Sequence, residues 1–181
     1  MASFKNHQHK LTSKKLSLKT RLRFFNVFVT SIFMYNSELW VLTKKLENDI
    51  DIFHRKLLRR ILKIFYPFTI RNETLYYRTN ESKWSNKIKA RRLRWTGHLL
   101  RLPRTTPAWR AYKFSKQRRG KIVSGNKLTW KKQINRDLST IDSKLSLDSA
   151  NIGCLAEDRD WWRNSVVNGS AVMSTNDGEQ P

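Results

Sequence analysis

Asp49 and Asp51 stand one residue apart, and so do Asp158 and Asp160. Close carboxylates are what a polymerase or nuclease uses to hold divalent metal, so metal-dependent chemistry would have to begin with these pairs. On a helix, side chains at that spacing point about 200° apart, too far round the axis to share an ion. Both pairs read better as surface acids, with Asp49 and Asp51 compensating a helix dipole. The four histidines are His7, His9, His54 and His98, and only His7 and His9 are neighbours. A single cysteine, Cys154, cannot complete a zinc set with them. His98, following Gly97, reads as a packing histidine, and Cys154 as a buried thiol. There is no Gly-rich phosphate loop and no Gly-x-Ser-x-Gly turn. Sequons occur at Asn72, Asn80 and Asn168, but residues 1–23 hold no apolar run that would serve as a secretory signal. The residues thus assign no catalytic group, no metal site and no cofactor.

What they do assign is charge. The 181 residues carry 37 Lys and Arg against 14 Asp and Glu, a net charge of +23. A body this basic repels itself unless an anion neutralises it, and nucleic acid is the commonest such partner. The charge is also segregated. Residues 82–136 hold eighteen Lys and Arg and no acid, whereas residues 137–181 hold eight acids and three bases. A small-molecule substrate is not expected. One cysteine makes a reducing compartment the default, so the expected location is intracellular, nuclear or cytoplasmic.

The elements that must position these cations read as helices. Residues 84–104 (WSNKIKARRLRWTGHLLRLPR) place Trp84, Ile88, Trp95, Leu99 and Leu102 at helical spacing. The opposite face carries Lys87, Lys89, Arg91, Arg92, Arg94 and Arg101. Ser82 is in place to cap this helix, and Pro103 and Pro107 to stop it. Upstream, residues 1–14 read as a flexible basic lead-in and residues 16–42 as one long helix. The segment 24–42 is apolar, but Asn26, Asn36 and Glu38 interrupt it, which argues for a buried helix over a membrane span. A helix over 44–65, capped by Thr43 and ended by Pro67, has the stripe Leu46, Ile50, Phe53, Leu57, Ile61 and Ile64. A short helix over 73–78 is capped by Asn72.

Residues 103–127 read as an irregular basic loop in which Trp109 and Tyr112 alternate with Arg110, Lys113 and, further on, Arg118, Arg119 and Lys121. Aromatics among cations can stack on bases while the cations neutralise the backbone. Helices over 128–141 and 149–167 and a disordered tail over 168–181 complete the chain. No stretch alternates as a strand does, and no repeat is present. The expected fold is all-α, an irregular bundle of five or six helices. Its divisions are a helical domain over 15–102, the loop, and a helical extension over 128–167.

Several blocks, taken in order, resemble one family. They are FVTSIFMYNSELWVLT (28–43), FHRKLLRRIL (53–62), RNETLYYRT (71–79), IKARRLRWTGHLLRLP (88–103), LTWKKQINRDL (128–138) and AEDRDWWRNSV (156–166). Together they resemble the region after the palm in reverse transcriptases of non-LTR retrotransposons, the endonuclease–reverse transcriptase type. The resemblance covers residues 15–167 and implies a helical thumb with a C-terminal extension that grips template and primer. It departs at YNSE (35–38), where the family has Tyr-Gly-Ser-Glu, so that the glycine turn is lost. It departs again at Gly125-Asn126-Lys127, in place of Gly-Arg-Pro. The palm's Tyr-x-Asp-Asp motif and the endonuclease are absent from these residues.

The resulting expectation is a catalytically incomplete, thumb-like module that binds RNA, DNA or their hybrid. Arg91, Arg92, Arg94, Arg101, Arg118, Arg119 and Lys121 would contact phosphates, helped by Lys87, Lys89, Arg110 and Lys113. Trp109 and Tyr112 would stack, and Trp84, Trp95, Leu99 and Trp130 would form core. The alternatives are a decayed transposon reading frame with no selected function, and a basic protein of the membrane surface.

Overall fold

The computed structural model describes residues 2–114 and 128–168, and all regular structure among them is helical. The chain divides into two compact units: Met1–Ser37 with Leu42–Ile88, and Glu38–Val41 with everything from Lys89 onward. No helix among the described residues is long and apolar enough to cross a membrane. The all-α expectation holds, with elements shorter and more numerous than their periodicity suggests.

In the first unit the expected lead-in is a helix, α1 (Ala2–Leu11), because Phe4 and Leu11 are both buried. Next, α2 (Leu18–Phe25) runs through a π-helical stretch (Asn26–Thr30) into α3 (Ser31–Phe33). Ser17 caps α2, its hydroxyl accepting from the Thr20 amide. The long helix expected to reach residue 42 ends early, at Phe33, and the turn after it passes through Asn36, whose φ of 55° is left-handed. Asparagine enters that region more readily than most residues. The turn expected to be lost with glycine is therefore kept by Asn36. A single 3₁₀ turn (Ser37–Leu39) follows.

Thr43 caps α4 (Lys44–Leu62) as expected, accepting from the Leu46 amide. Its end is set by Lys63 in the left-handed conformation (φ 58°), ahead of Pro67. The Ile64 amide reaches back to the Arg59 carbonyl at 2.9 Å, as in a Schellman close. The buried face is Asp51, His54, Leu57, Leu58 and Ile61, rotated from the purely apolar stripe and leaving Leu46 exposed. In α5 (Asn72–Thr79) the cap position is Arg71, and Asn72 instead accepts from Arg59 Nη2 at 2.8 Å.

The long basic helix is α6 (Trp84–Arg101). Ser82 does not cap it. Asp51 does so from α4: its two carboxylate oxygens accept from the Ser85 amide (3.0 Å) and hydroxyl (2.7 Å), satisfying one of the donors that a helix start leaves open. Asp51 is thus a buried tertiary cap, while Asp49 is exposed. Around the start of α6 the rings stack. Trp84 lies 4.2 Å from Phe33 and 4.5 Å from His54, centroid to centroid, nearly parallel to both.

The second unit begins within α6, after Ile88. Residues 103–114, expected as loop, contain α7 (Pro107–Phe114), with proline at its first position where no amide is needed. Thr129 caps α8 (Trp130–Ser139). The last helix, expected to be continuous, is broken into α9 (Ile152–Glu157) and α10 (Arg159–Trp161), which runs on into a π-helical stretch (Trp162–Asn168). Asp158 makes the break by capping α10, accepting from the Asp160 and Trp161 amides at 3.1 and 2.9 Å. Leu93, Ile134, Leu138, Ile152, Ala156, Trp162 and Val166 form the core. Cys154 is exposed, contrary to expectation. The tail expected over 168–181 lies outside the described residues except for Asn168.

Candidate nucleic-acid interface

Arg91, Arg94, His98 and Arg101 recur on α6 at intervals of three and four residues, which puts them on one face. Arg91, Arg94 and His98 are exposed and Arg101 is half-buried. The turns after Asp158 bring up two further cations, Arg159 and Arg163, both exposed. The two segments enclose a groove of about 520 Å³ lined by Arg94, His98, Arg101, Leu102, Arg159, Trp162, Arg163 and Val167. No carboxylate is among these lining residues. A second groove of about 500 Å³ shares the Arg94, His98 and Arg101 wall and extends it to Arg91, Trp95 and Glu38.

Local bonding fixes part of this arrangement. Arg101 Nη1 donates to the Ala156 carbonyl at 2.6 Å, which anchors its guanidinium at the groove. Burial, and then repulsion from Arg159, lower the Arg101 pKa from its ordinary value. The floor is Trp162, whose Nε1 donates to the Leu93 carbonyl at 2.9 Å. Arg91 pairs with Glu38 at 3.4 Å, and Arg163 with Asp160 at 3.7 Å, both members of the latter pair being well exposed. An exposed pair such as Arg163–Asp160 is weak and can be exchanged for phosphate.

The remaining expected contacts fall elsewhere. Arg92 is a correction: it is 1% exposed, and its Nε and Nη2 both donate to Asp137 Oδ2 at 2.8 Å. A guanidinium so enclosed is structural and cannot meet a phosphate. Lys89 is half-buried and bonds the Thr140 hydroxyl. Lys87 belongs to the first unit and pairs there with Glu81. On α7, Arg110 is exposed, and Lys113 Nζ lies 5.3 Å from the centre of the half-exposed Trp109 ring, with Arg104 at 6.0 Å. Tyr112 packs against the core and edge-on to Trp130, with Lys131 Nζ 4.2 Å from its ring centre. Trp130 in turn donates to the Glu38 carbonyl at 2.9 Å. Arg118, Arg119 and Lys121 lie outside the described residues. Of the expected core residues, Trp84 and Leu99 are buried, while Trp95 is half-buried against the His98 ring at 5.2 Å.

Sequence reasoning missed Arg159, Arg163 and His98. The arginines stand among Glu157, Asp158 and Asp160, whose charges mask them in any linear count. His98 was legible: it falls four residues after Arg94 and three before Arg101.

Among the described residues, no group of three or more His, Cys, Asp or Glu could hold a metal ion. The arrangement is suited to binding an extended anion, since repulsion among clustered guanidiniums is relieved when an anion enters.

The chain is similar to a transposon-derived protein. That relative, from Caenorhabditis elegans and described as an uncharacterized transposon-derived protein, is 27% identical over 150 residues. The similarity covers 77% of this chain and 50% of the relative, so the chain spans about half the relative's length. No protein-family profile matches the chain, and no solved structure does.

Proposed function

We propose that this chain is a non-catalytic helical module of transposon origin that binds nucleic acid through its phosphate backbone, in the manner of a reverse-transcriptase thumb. The observation that carries the reading is the groove of Arg94, Arg101, Arg159 and Arg163 with His98, lined by no acid. The transposon-derived relative supports the origin, and the order of the sequence blocks supports the thumb. Guanidiniums that neutralise phosphates do so whatever the sequence, so the expected binding is tight, insensitive to sequence and steeply dependent on salt.

The test is fluorescence anisotropy with a labelled RNA–DNA hybrid across a salt series. The Arg94→Ala/Arg159→Ala/Arg163→Ala variant is compared with Lys44→Ala/Lys45→Ala/Lys56→Ala, which removes equal charge from exposed positions that do not line the groove. Loss of two or three phosphate contacts lowers the log–log salt slope by about 0.9 per contact. The reading requires that drop in the arginine variant and not in the lysine variant. Equal losses in both would reduce the groove to generic cationic surface.

A further inference from the structure

The loop between α4 and α5 holds the observation that the groove does not absorb. Phe65, Tyr66 and Phe68 are 58%, 94% and 78% exposed. Burying a ring of this size is favourable, so three open rings within four residues mark a surface kept for a partner. The loop is held at both ends and in the middle. Lys63 and Ile64 close α4 by bonding back to Arg60 and Arg59, and the Phe68 amide donates to the Phe65 carbonyl at 2.9 Å. Arg59 Nη2 reaches across to Asn72 Oδ1 and the Ile70 carbonyl.

Two features select the partner. Apart from Pro67, the exposed apolar groups are aromatic, while Ile64 and Ile70 are half-buried. The setting is cationic: no acid occurs between Asp51 and Glu73, and Arg60, Lys63 and Arg71 flank the rings. Open π faces beside cations are the elements of a stacking platform for unpaired bases. A duplex presents no open base faces and would meet only the cations.

We propose that the Phe65–Phe68 loop is a stacking site for single-stranded nucleic acid, separate from the arginine groove and on the other compact unit. The proposal rests on the nucleic-acid reading but not on the groove.

The test uses the full chain, labelled oligo(dT), a duplex of equal length, and vesicles rich in phosphatidylserine. The variants are Tyr66→Ala/Phe68→Ala and Tyr66→Leu/Phe68→Leu, the second keeping apolar bulk without a π face. Oligo(dT) binding falls about tenfold for each ring removed in both variants, and duplex binding stays within about twofold. Unchanged oligo(dT) binding overturns the proposal, as does full retention by the leucine variant, which would mark an ordinary apolar contact. Vesicle binding lost in the alanine variant with oligo(dT) binding intact would assign the loop to a membrane and overturn it too. Should the double alanine variant not fold, Tyr66→Ala alone and the leucine pair carry the same comparison. A failed groove shows instead in the duplex salt slope of the arginine variant, which the loop variants do not alter.

Discussion

Trp162 packs directly on Gly97. A β-carbon at position 97 would stand within 2.8 Å of three indole atoms, and the indole N–H is bonded to the Leu93 carbonyl one helical turn earlier. Glycine inside a helix costs about 1 kcal/mol relative to alanine, so this position gives up helix propensity to admit a tryptophan. The same indole floors the arginine groove.

Gly97→Ala therefore sets a propensity gain of about 1 kcal/mol against an overpacking cost. The obstructing atoms belong to a rigid, buried and hydrogen-bonded ring. We expect net destabilisation of about 1–3 kcal/mol, read as a lower urea midpoint. Gly153→Ala is the control, because its β-carbon meets nothing within 4 Å. It should be neutral or stabilising by up to about 1 kcal/mol. If both substitutions stabilise, the contact at Gly97 is not a constraint.

Arg92 and Arg94 are two residues apart and do different work. Arg92→Ala leaves Asp137 buried and uncompensated by a guanidinium, with the neutral Gln133 Nε2 donating to it at 3.2 Å, and should cost about 3–5 kcal/mol. Arg94→Ala should change stability by no more than about 0.5 kcal/mol and weaken nucleic-acid binding. Replacing the pair together, as Arg92→Met/Asp137→Leu, should be less damaging than Arg92→Ala, because no charge is left unpaired. Chemical denaturation of the three variants checks this, and equal cost for Arg92→Ala and Arg94→Ala would refute the division.

That division shows what the sequence could and could not disclose. The helical class and the existence of α4, α6 and α8 follow from apolar spacing, and Thr43 caps α4 where it should. Sequence spacing does not tell which cation of a run meets an acid from a distant helix. Arg92 has a buried partner because Asp137 stands on α8, which is a tertiary fact. Asp51 misled for the same reason: one-residue spacing from Asp49 suggested a surface pair, whereas α4 turns Asp51 inward to the start of α6. The groove needed Asp158 to break the last helix and bring up Arg159 and Arg163. A helical reading of 149–167 ran straight through that break, because Asp158 serves equally well as an ordinary helical surface acid.

The Asp51 cap gives a third expectation. Asp51→Ala removes both acceptors from Ser85 and should cost about 1–2 kcal/mol, the range for a lost helix cap. Asp51→Asn keeps one oxygen acceptor and should recover part of the loss. Amide exchange in the first turn of α6 should accelerate more than in α8 in the alanine variant. Uniform acceleration across both helices would instead indicate global destabilisation without a local capping role.

His54 makes stability depend on pH. Its ring is fully buried, stacked on Trp84 and beside Phe25, and neither nitrogen has a hydrogen-bond partner among the described residues. Burial, and then the charges of Lys87 and Arg55, lower its pKa from 6.5 to about 3. Between those values the unfolded chain binds a proton that the folded chain refuses. Stability is therefore undiminished above pH 6.5 and falls as the pH drops toward 3, with a limiting slope of about 1.4 kcal/mol per pH unit. Carboxylates add their own titration at the acid end, so the decisive window is pH 6.5 to 5. His54→Phe keeps a ring in the stack and cannot protonate. Denaturant unfolding across that window should show a falling midpoint in the parent and a nearly flat one in the variant. Parallel curves would mean that another group carries the acid sensitivity and that His54 is protonated in place.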